Sequence, residues 1–240
     1  MKIITVASLK GGVGKTTTVV YLSLALVSRG KRVLLIDVDP NNNLTDFFLR
    51  YTEPTEIEAR NVKHLLSGEI SPEECVHEST GLSVIPCTVS LHTASHELSR
   101  SPATVLRFAA LLRKMDYDVV LVDTPPFPGY ELALALHASD MILSPVALSR
   151  WTVQAYTALD TEIKTASDGT GRIPESLILP ALVTQREETI LRNSMNGTAV
   201  TASVIHRAAA VRSSAERGIR LRAGSKSEAE FLKLSHEVIP

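Results

Sequence analysis

Residues Lys10–Thr17 read KGGVGKTT, directly after the apolar run Ile3-Ile4-Thr5-Val6-Ala7. A strand that empties into glycines, a lysine and two threonines is built to hold phosphates. Gly11, Gly12 and Gly14 allow a tight turn, so successive N–H groups around Val13 can point at anionic oxygens. The helix that follows adds its positive N-terminal end. Lys15 supplies a point charge for the β- and γ-phosphates, and the Thr16 hydroxyl suits Mg²⁺. The stretch also departs from the general phosphate-loop pattern G-x-x-x-x-G-K-[ST]. That pattern needs glycine at position 9, where this chain has Leu9, and it has a surplus lysine, Lys10. One lysine is enough for a loop to cradle its own phosphates.

Working outward, apolar β-branched runs recur at Ile3–Ala7, Val33–Ile36, Leu82–Ile85, Val119–Val122, Met141–Val146 and Leu177–Val183. Several are apolar without a break, as expected for strands covered on both faces. Helical patterns lie between them at Thr16–Ser28, Thr104–Lys114, Tyr130–His137 and Thr152–Thr165, with Gly30 placed to end the first. This alternation predicts an α/β fold, a doubly wound and mostly parallel sheet. The runs ending at Ile36, Val122 and Leu143 pass into Asp37-Val38-Asp39-Pro40, Asp123-Thr124-Pro125-Pro126 and Ser144-Pro145. In a parallel sheet those ends gather on the carboxyl edge, where ligands bind. A carboxylate there can hold Mg²⁺ through water or orient an attacking water. Asp-x-Asp-Pro after a strand can also simply start a turn.

The chain has 240 residues, 44% of them apolar, enough for a substantial core. A net charge of −1 gives no overall pull toward nucleic acid or membrane. Cys75 and Cys87 lack CxxC spacing and read as reduced thiols. No apolar run approaches the roughly 20 residues that span a bilayer. Lys2 leads straight into a strand, without a signal-peptide pattern. The expectation is one domain over residues 1–240, with no DNA-reading segment ahead of it, in the cytoplasm.

The ordered set KGGVGKTT, LLIDVDP and YDVVLVDTPP resembles the ParA/MinD family of deviant Walker ATPases, most of all its ParA branch. The resemblance covers nearly the whole chain and is strongest over residues 2–49 and 117–147. It implies a P-loop NTPase fold, Mg²⁺-dependent turnover of ATP to ADP, and a homodimer formed on ATP. It implies that Lys10 reaches the partner subunit's phosphates, which accounts for the surplus lysine. It also implies that Lys15 holds phosphates within its own subunit, that Thr16 and Asp123 serve the metal with Asp37 beside them, and that Thr17 lies near the α-phosphate. Asp39 matches the carboxylate that positions the hydrolytic water. Further implied partners are non-specific duplex DNA on the nucleoid and a ParB-like cargo adaptor that stimulates hydrolysis, with segregation of a plasmid or chromosome as the outcome.

Departures are visible too. Asn41-Asn42-Asn43 stand where the family often has Gln-Gly-Asn, and asparagine tolerates the left-handed backbone. Ile205-His206-Arg207 replaces an Ile-Pro-Arg segment that helps wall the adenine. Arg207 and Thr184 are the candidates for that end of the nucleotide.

Between positions 186 and 226 lie seven arginines and one lysine against three glutamates, a net +5. Arg186, Arg192, Arg207, Arg212, Arg217, Arg220 and Arg222 are candidates for phosphate-backbone contact. No aromatics interleave with them, which favours duplex backbone over stacked single strands. Val204, Ile205 and Ala208–Val211 read as core, and Trp151 as packing. Two alternatives compete. A MinD-like membrane switch needs a basic amphipathic C-terminal helix, but the segment from Glu228 to Pro240 carries Glu228, Glu230 and Glu237. An electron-donating ATPase with a bridging iron–sulfur cluster needs cysteines in glycine-rich contexts, which Cys75 and Cys87 lack.

Overall fold

A computed structural model describes residues 1–195 and 197–240, with the side chains of Pro102 and Thr170 outside the description. The chain opens with β1 (Lys2–Val6), α1 (Lys15–Ser28) and β2 (Val33–Asp37). Short helices α2 (Asn43–Leu49), α3 (Pro54–Ala59) and α4 (Val62–Ser67) precede β3 (His77–Ser79) and β4 (Leu82–Ile85). Then come α5 (Ser90–Leu98), α6 (Pro102–Leu112), β5 (Val119–Asp123), α7 (Tyr130–Ala138), β6 (Met141–Val146), α8 (Thr152–Thr170) and β7 (Glu175–Val183). The last elements are α9 (Gln185–Ser194), β8 (Ile205–His206), α10 (Ala209–Arg217) and α11 (Lys226–Val238).

Among the described residues the strands form one sheet in the order β3-β4-β2-β5-β1-β6-β7-β8. Only the β3–β4 pair in that sheet is antiparallel. The unbroken apolar runs are explained by strand alternation, since both faces are covered. Ile4, Val6, Val33, Leu35, Val119 and Leu121 pack on one face, against α1 and the Phe231, Leu234 and Val238 of α11. Ile3, Leu34, Ile36, Val120 and Val122 pack on the other, against Leu65, Phe108, Leu112 and Leu134. Each large apolar side chain buried in this way contributes about 1.5–3 kcal/mol.

Helix α1 ends as its glycine predicts. Gly30 has φ +76°; its N–H bonds the Val27 carbonyl at 2.9 Å, and the Lys31 N–H bonds Leu26 at 3.1 Å. This is the paired hydrogen-bond closure that a left-handed residue after a helix permits. Six predicted strands and four predicted helices appear within one to five residues of their expected ends. The expected patterns did not include β3, β8, α2–α5 or α9–α11; most of these are too short to fill the window over which periodicity is read.

Two expectations need correction. In Ala208–Val211 only Val211 is buried, and Ala209 and Ala210 are exposed on the first turn of α10. Trp151 is not packed away but 54% exposed at the start of α8, with the Arg150 guanidinium 4.8 Å from its ring centre.

Candidate functional site

The parallel register places the polar strand ends side by side. Asp37 pairs with Asp123 across β2 and β5, and Val6 pairs with Asp123 across β1 and β5. The phosphate loop therefore leaves β1 next to two carboxylates. Gly12 and Gly14 have φ +72° and +91°, and Gly14 is the residue that opens α1. The first turn of α1 carries no acidic side chain, so nothing local cancels its positive end.

The carboxylates differ sharply in environment. Asp37 is fully buried and accepts hydrogen bonds from Thr45 N (3.0 Å), Thr45 Oγ1 (2.8 Å) and Asp39 N (3.0 Å). Burial pushes its carboxyl up to about 7, although the Thr45 bonds pull the other way. Asp123 is also fully buried, and its Oδ2 accepts from Thr16 Oγ1 at 2.7 Å. Burial and then the neighbouring Asp37 push it well above the usual carboxylate range, against the Thr16 bond and Lys15. Its second oxygen, Oδ1, is buried without a hydrogen-bond partner among the described residues. A buried anionic acceptor left in this state suits a cation or a cation-bound water. A divalent ion would reverse the upward shifts, because its charge favours the ionised carboxylates.

Lys15 is 7% exposed. Burial lowers its ammonium below the ordinary value, while Asp123 and Asp39 hold it up. Asp39 is buried and its Oδ1 accepts from both Asn41 N and Asn41 Nδ2 at 3.0 Å. The turn reading and the functional reading of Asp39 thus coexist, since the turn is what aims the carboxylate. Asn42 takes the left-handed backbone, φ +49°, expected of this asparagine run.

A cavity of about 1110 Å³ opens above these groups, lined by Gly11, Gly12, Gly14, Lys15, Thr16, Thr17 and Asp39 on one side. The lining contributed by β7 and by the segment from β8 through α10 includes Leu182, Arg207, Ala208, Val211 and Arg212. Asp37 and Asp123 lie beneath the lining, and Val13 is 2% exposed. Lys10 is not in the lining. It borders a separate narrow cleft with Ser8, Val13, Ser144 and Tyr156.

Thr184 does not line the cavity. Its Oγ1 accepts from Glu187 N at 3.3 Å, and its own N–H bonds Glu187 Oε2 at 2.7 Å, the reciprocal cap of α9. The residue sequence reasoning missed is Leu182. It sits in a register shift between β7 and β8, with φ +56°. That conformation costs a non-glycine residue about 1–2 kcal/mol. The Leu182-Val183 ending of β7 gave no sign of it.

The basic third does not form one uniform surface. Arg192 bonds Glu188 at 2.9 Å and the Thr201 carbonyl at 2.9 Å. Arg207 bonds the Leu182 carbonyl at 3.1 Å and Glu187 at 3.3 Å. Arg212 bonds Glu216 at 2.8 Å, and Arg220 the Thr80 carbonyl at 3.0 Å. Arg186, Arg217 and Arg222 are exposed, with no ion pair or hydrogen bond among the described residues. His206, where the resemblance leads one to expect proline, bonds Glu230 at 2.7 Å through its side chain. Cys75 and Cys87 are buried free thiols, and burial raises both, Cys75 to about 11. Neither has the depressed thiol of a nucleophile.

The family model described as an AAA domain matches residues 1–172. The chromosome-partitioning ATPase Soj of Thermus thermophilus is 38% identical over 181 residues, 75% of this chain and 68% of that protein. Further relatives, including the IncC protein of Escherichia coli, are matched over 46–63% of their own length. Among solved structures, a Cyanothece McdA–ATP complex superposes with a TM-score of 0.86 at 21% identity, covering 99% of this chain and 96% of that one. The cobyrinic acid a,c-diamide synthase of Mycobacterium smegmatis, solved with ADP and magnesium, gives 0.84 at 23%, covering 100% and 94%. At these identities the two structures speak for the fold alone.

Proposed function

The chain belongs to the ParA/MinD family of deviant Walker ATPases, and on that premise we propose that it is an ATP-driven positioning ATPase acting as a single domain over residues 1–240. It binds ATP with Mg²⁺, pairs with a second copy across the nucleotides and grips duplex DNA without reading sequence. It lets go when a ParB-like adaptor speeds hydrolysis. The nucleoid is its place of action in this reading, and a plasmid or chromosome its cargo.

The observation that carries the reading is the buried Asp123 bonded to Thr16 at the cavity, with one Asp123 oxygen unsatisfied and Lys15 beside it. A stable interior does not bury an orphaned carboxylate oxygen without a use for it. Thr16 and Asp123 would hold Mg²⁺, with Asp37 behind them, and the ion would neutralise charge developing on the phosphate oxygens. Lys15 and the glycine-loop N–H groups orient the phosphates. Asp39, fixed by Asn41, faces the same cavity and orients the attacking water. Lys10 does not line this cavity and borders a different cleft, which fits a role on the partner's nucleotide.

The membrane alternative is weakened by α11. Phe231, Leu234 and Val238, the apolar residues such a helix would offer a bilayer, are buried within the molecule. No helix among the described residues is long and apolar enough to cross a membrane.

The test is binding to arbitrary duplex DNA with and without ATP. Because Arg217 and Arg222 have no ion pair or hydrogen bond among the described residues, the decisive variant is Arg217→Ala with Arg222→Ala. The double variant should weaken ATP-dependent binding equally on unrelated sequences and flatten its salt dependence by roughly 0.9 per lost phosphate contact. A wild-type protein that binds DNA no better with ATP sinks the DNA part of the reading.

A further inference from the structure

Leu182 combines three features that no part of the proposed mechanism uses. Its backbone is left-handed, φ +56°, at the bulge where β7 slips against β8. Its side chain lies over the phosphate loop in contact range: a Cβ on Gly14 would lie 3.4 Å from Leu182 Cδ1 and 3.5 Å from Cγ. Its carbonyl is captured by Arg207 Nε at 3.1 Å. Arg207 is itself fixed, since its guanidinium reaches both Glu187 oxygens at 3.3 Å and its N–H bonds the Val183 carbonyl at 3.0 Å. Glu187 in turn is tied to the cap of α9 through Thr184.

Strained backbone persists only where surrounding bonds over-determine it, and such strain gathers at functional sites. Here the constraint runs from α9 through Glu187 and Arg207 to Leu182, and ends on Gly14. Gly14 begins α1 and stands next to Lys15. The side chain of Leu182 lies in van der Waals reach over Gly14, so a shift of the loop toward β7 would run into it. The loop therefore cannot relax toward β7.

We propose that Leu182 is a positioning residue for nucleotide binding, a wedge that fixes Gly14 and the start of α1, and that Arg207 acts through it by locking the bulge. The inference rests on the nucleotide-binding reading above, but on neither the DNA part nor the dimer part. It gives Arg207 a task other than contact with DNA. It also separates affinity from stability. Replacing Leu182 by glycine removes the wedge, but it also removes the backbone strain.

The experiment measures ADP affinity by calorimetry with Mg²⁺, alongside the melting temperature without nucleotide. The set is Leu182→Ala, Leu182→Gly, Arg207→Ala, Arg207→Lys and the double variant Leu182→Gly with Arg207→Ala. Leu182→Gly should lose about tenfold in ADP affinity with no drop in melting temperature. Arg207→Ala and Arg207→Lys should lose a similar factor, because lysine lacks the fork that spans the carbonyl and Glu187. The double variant should lose no more than the larger single, since both act through one wedge. ADP affinity that survives both Leu182 variants overturns the proposal. So do losses that multiply in the double variant, or that merely follow a falling melting temperature. A wild-type chain that does not bind ADP overturns the nucleotide reading itself, a separate outcome.

Discussion

The two walls of the cavity are built on opposite plans. On the phosphate-loop side, buried groups face one another at the ends of central strands: Asp37 and Asp123 in register, Thr16 bonded to Asp123 at 2.7 Å, and Lys15 only 7% exposed. On the β7–β8 side the polar groups are exposed or half-exposed. They are held by exposed pairs such as Arg207–Glu187, with Arg207 60% exposed. Water screens such pairs, which are worth roughly 0–1 kcal/mol apiece. Chemistry belongs on the first wall, where charge is felt in a low dielectric. The second wall supplies shape, and shape can be altered without unfolding the protein.

The largest break in this comparison is expected on the first wall. Lys15→Ala should reduce ATP and ADP affinity by more than about 100-fold, because it removes a charged contact that no water can replace in that setting. Titration calorimetry would read it. Retained affinity within a few-fold would mean that the buried lysine does not touch the phosphates.

A second effect follows from Asp37. Its folded carboxyl is raised to about 7 from an ordinary 3.8, so the folded state binds the proton more tightly than the unfolded one. Asp37 should therefore contribute a fall in the stability of the metal-free protein as pH climbs from about 4 to about 7, in the same direction as the raised Asp123. Asp37→Asn should flatten that slope, and so should saturating ADP with Mg²⁺, whose charge offsets the ionised carboxylates. Melting temperatures across that pH range decide it. A slope that is the same in Asp37→Asn would place the burial cost elsewhere.

The smallest effect belongs to the second wall. Thr184→Ala removes one half of the reciprocal cap of α9 and should cost about 1 kcal/mol of stability in chemical denaturation. ADP affinity should stay within about twofold. A large loss would return Thr184 to the nucleotide pocket, from which its bonds to Glu187 now separate it.

How far the sequence could be read depended on the kind of interaction. The phosphate loop and the carboxylates at positions 37, 39 and 123 were legible because local backbone geometry and strand ends demand particular residue types there. Asn42 was legible for the same reason: a left-handed position admits few side chains. The arginines were legible as a charge total but not as a surface. Arg192 and Arg207 find partners at Thr201 and Leu182, whose nearness depends on how α9 and β8 lie against β7. Thr184 read as a candidate for the nucleotide pocket, and the path of α9 makes it that helix's cap instead.

By itself, the sequence determined a parallel sheet with both faces covered, a phosphate-binding loop after its first strand, and carboxylates at the ends of its second and fifth strands. Those features follow from local periodicity and from what glycine, lysine and aspartate can do. The tertiary structure alone decided that one Asp123 oxygen is left without a partner among the described residues, that Lys10 borders a cleft separate from the large cavity, and that Leu182 is left-handed against Gly14. Each of these depends on groups far apart in the chain meeting in one place, and that is fixed by strand order and register rather than by any local pattern.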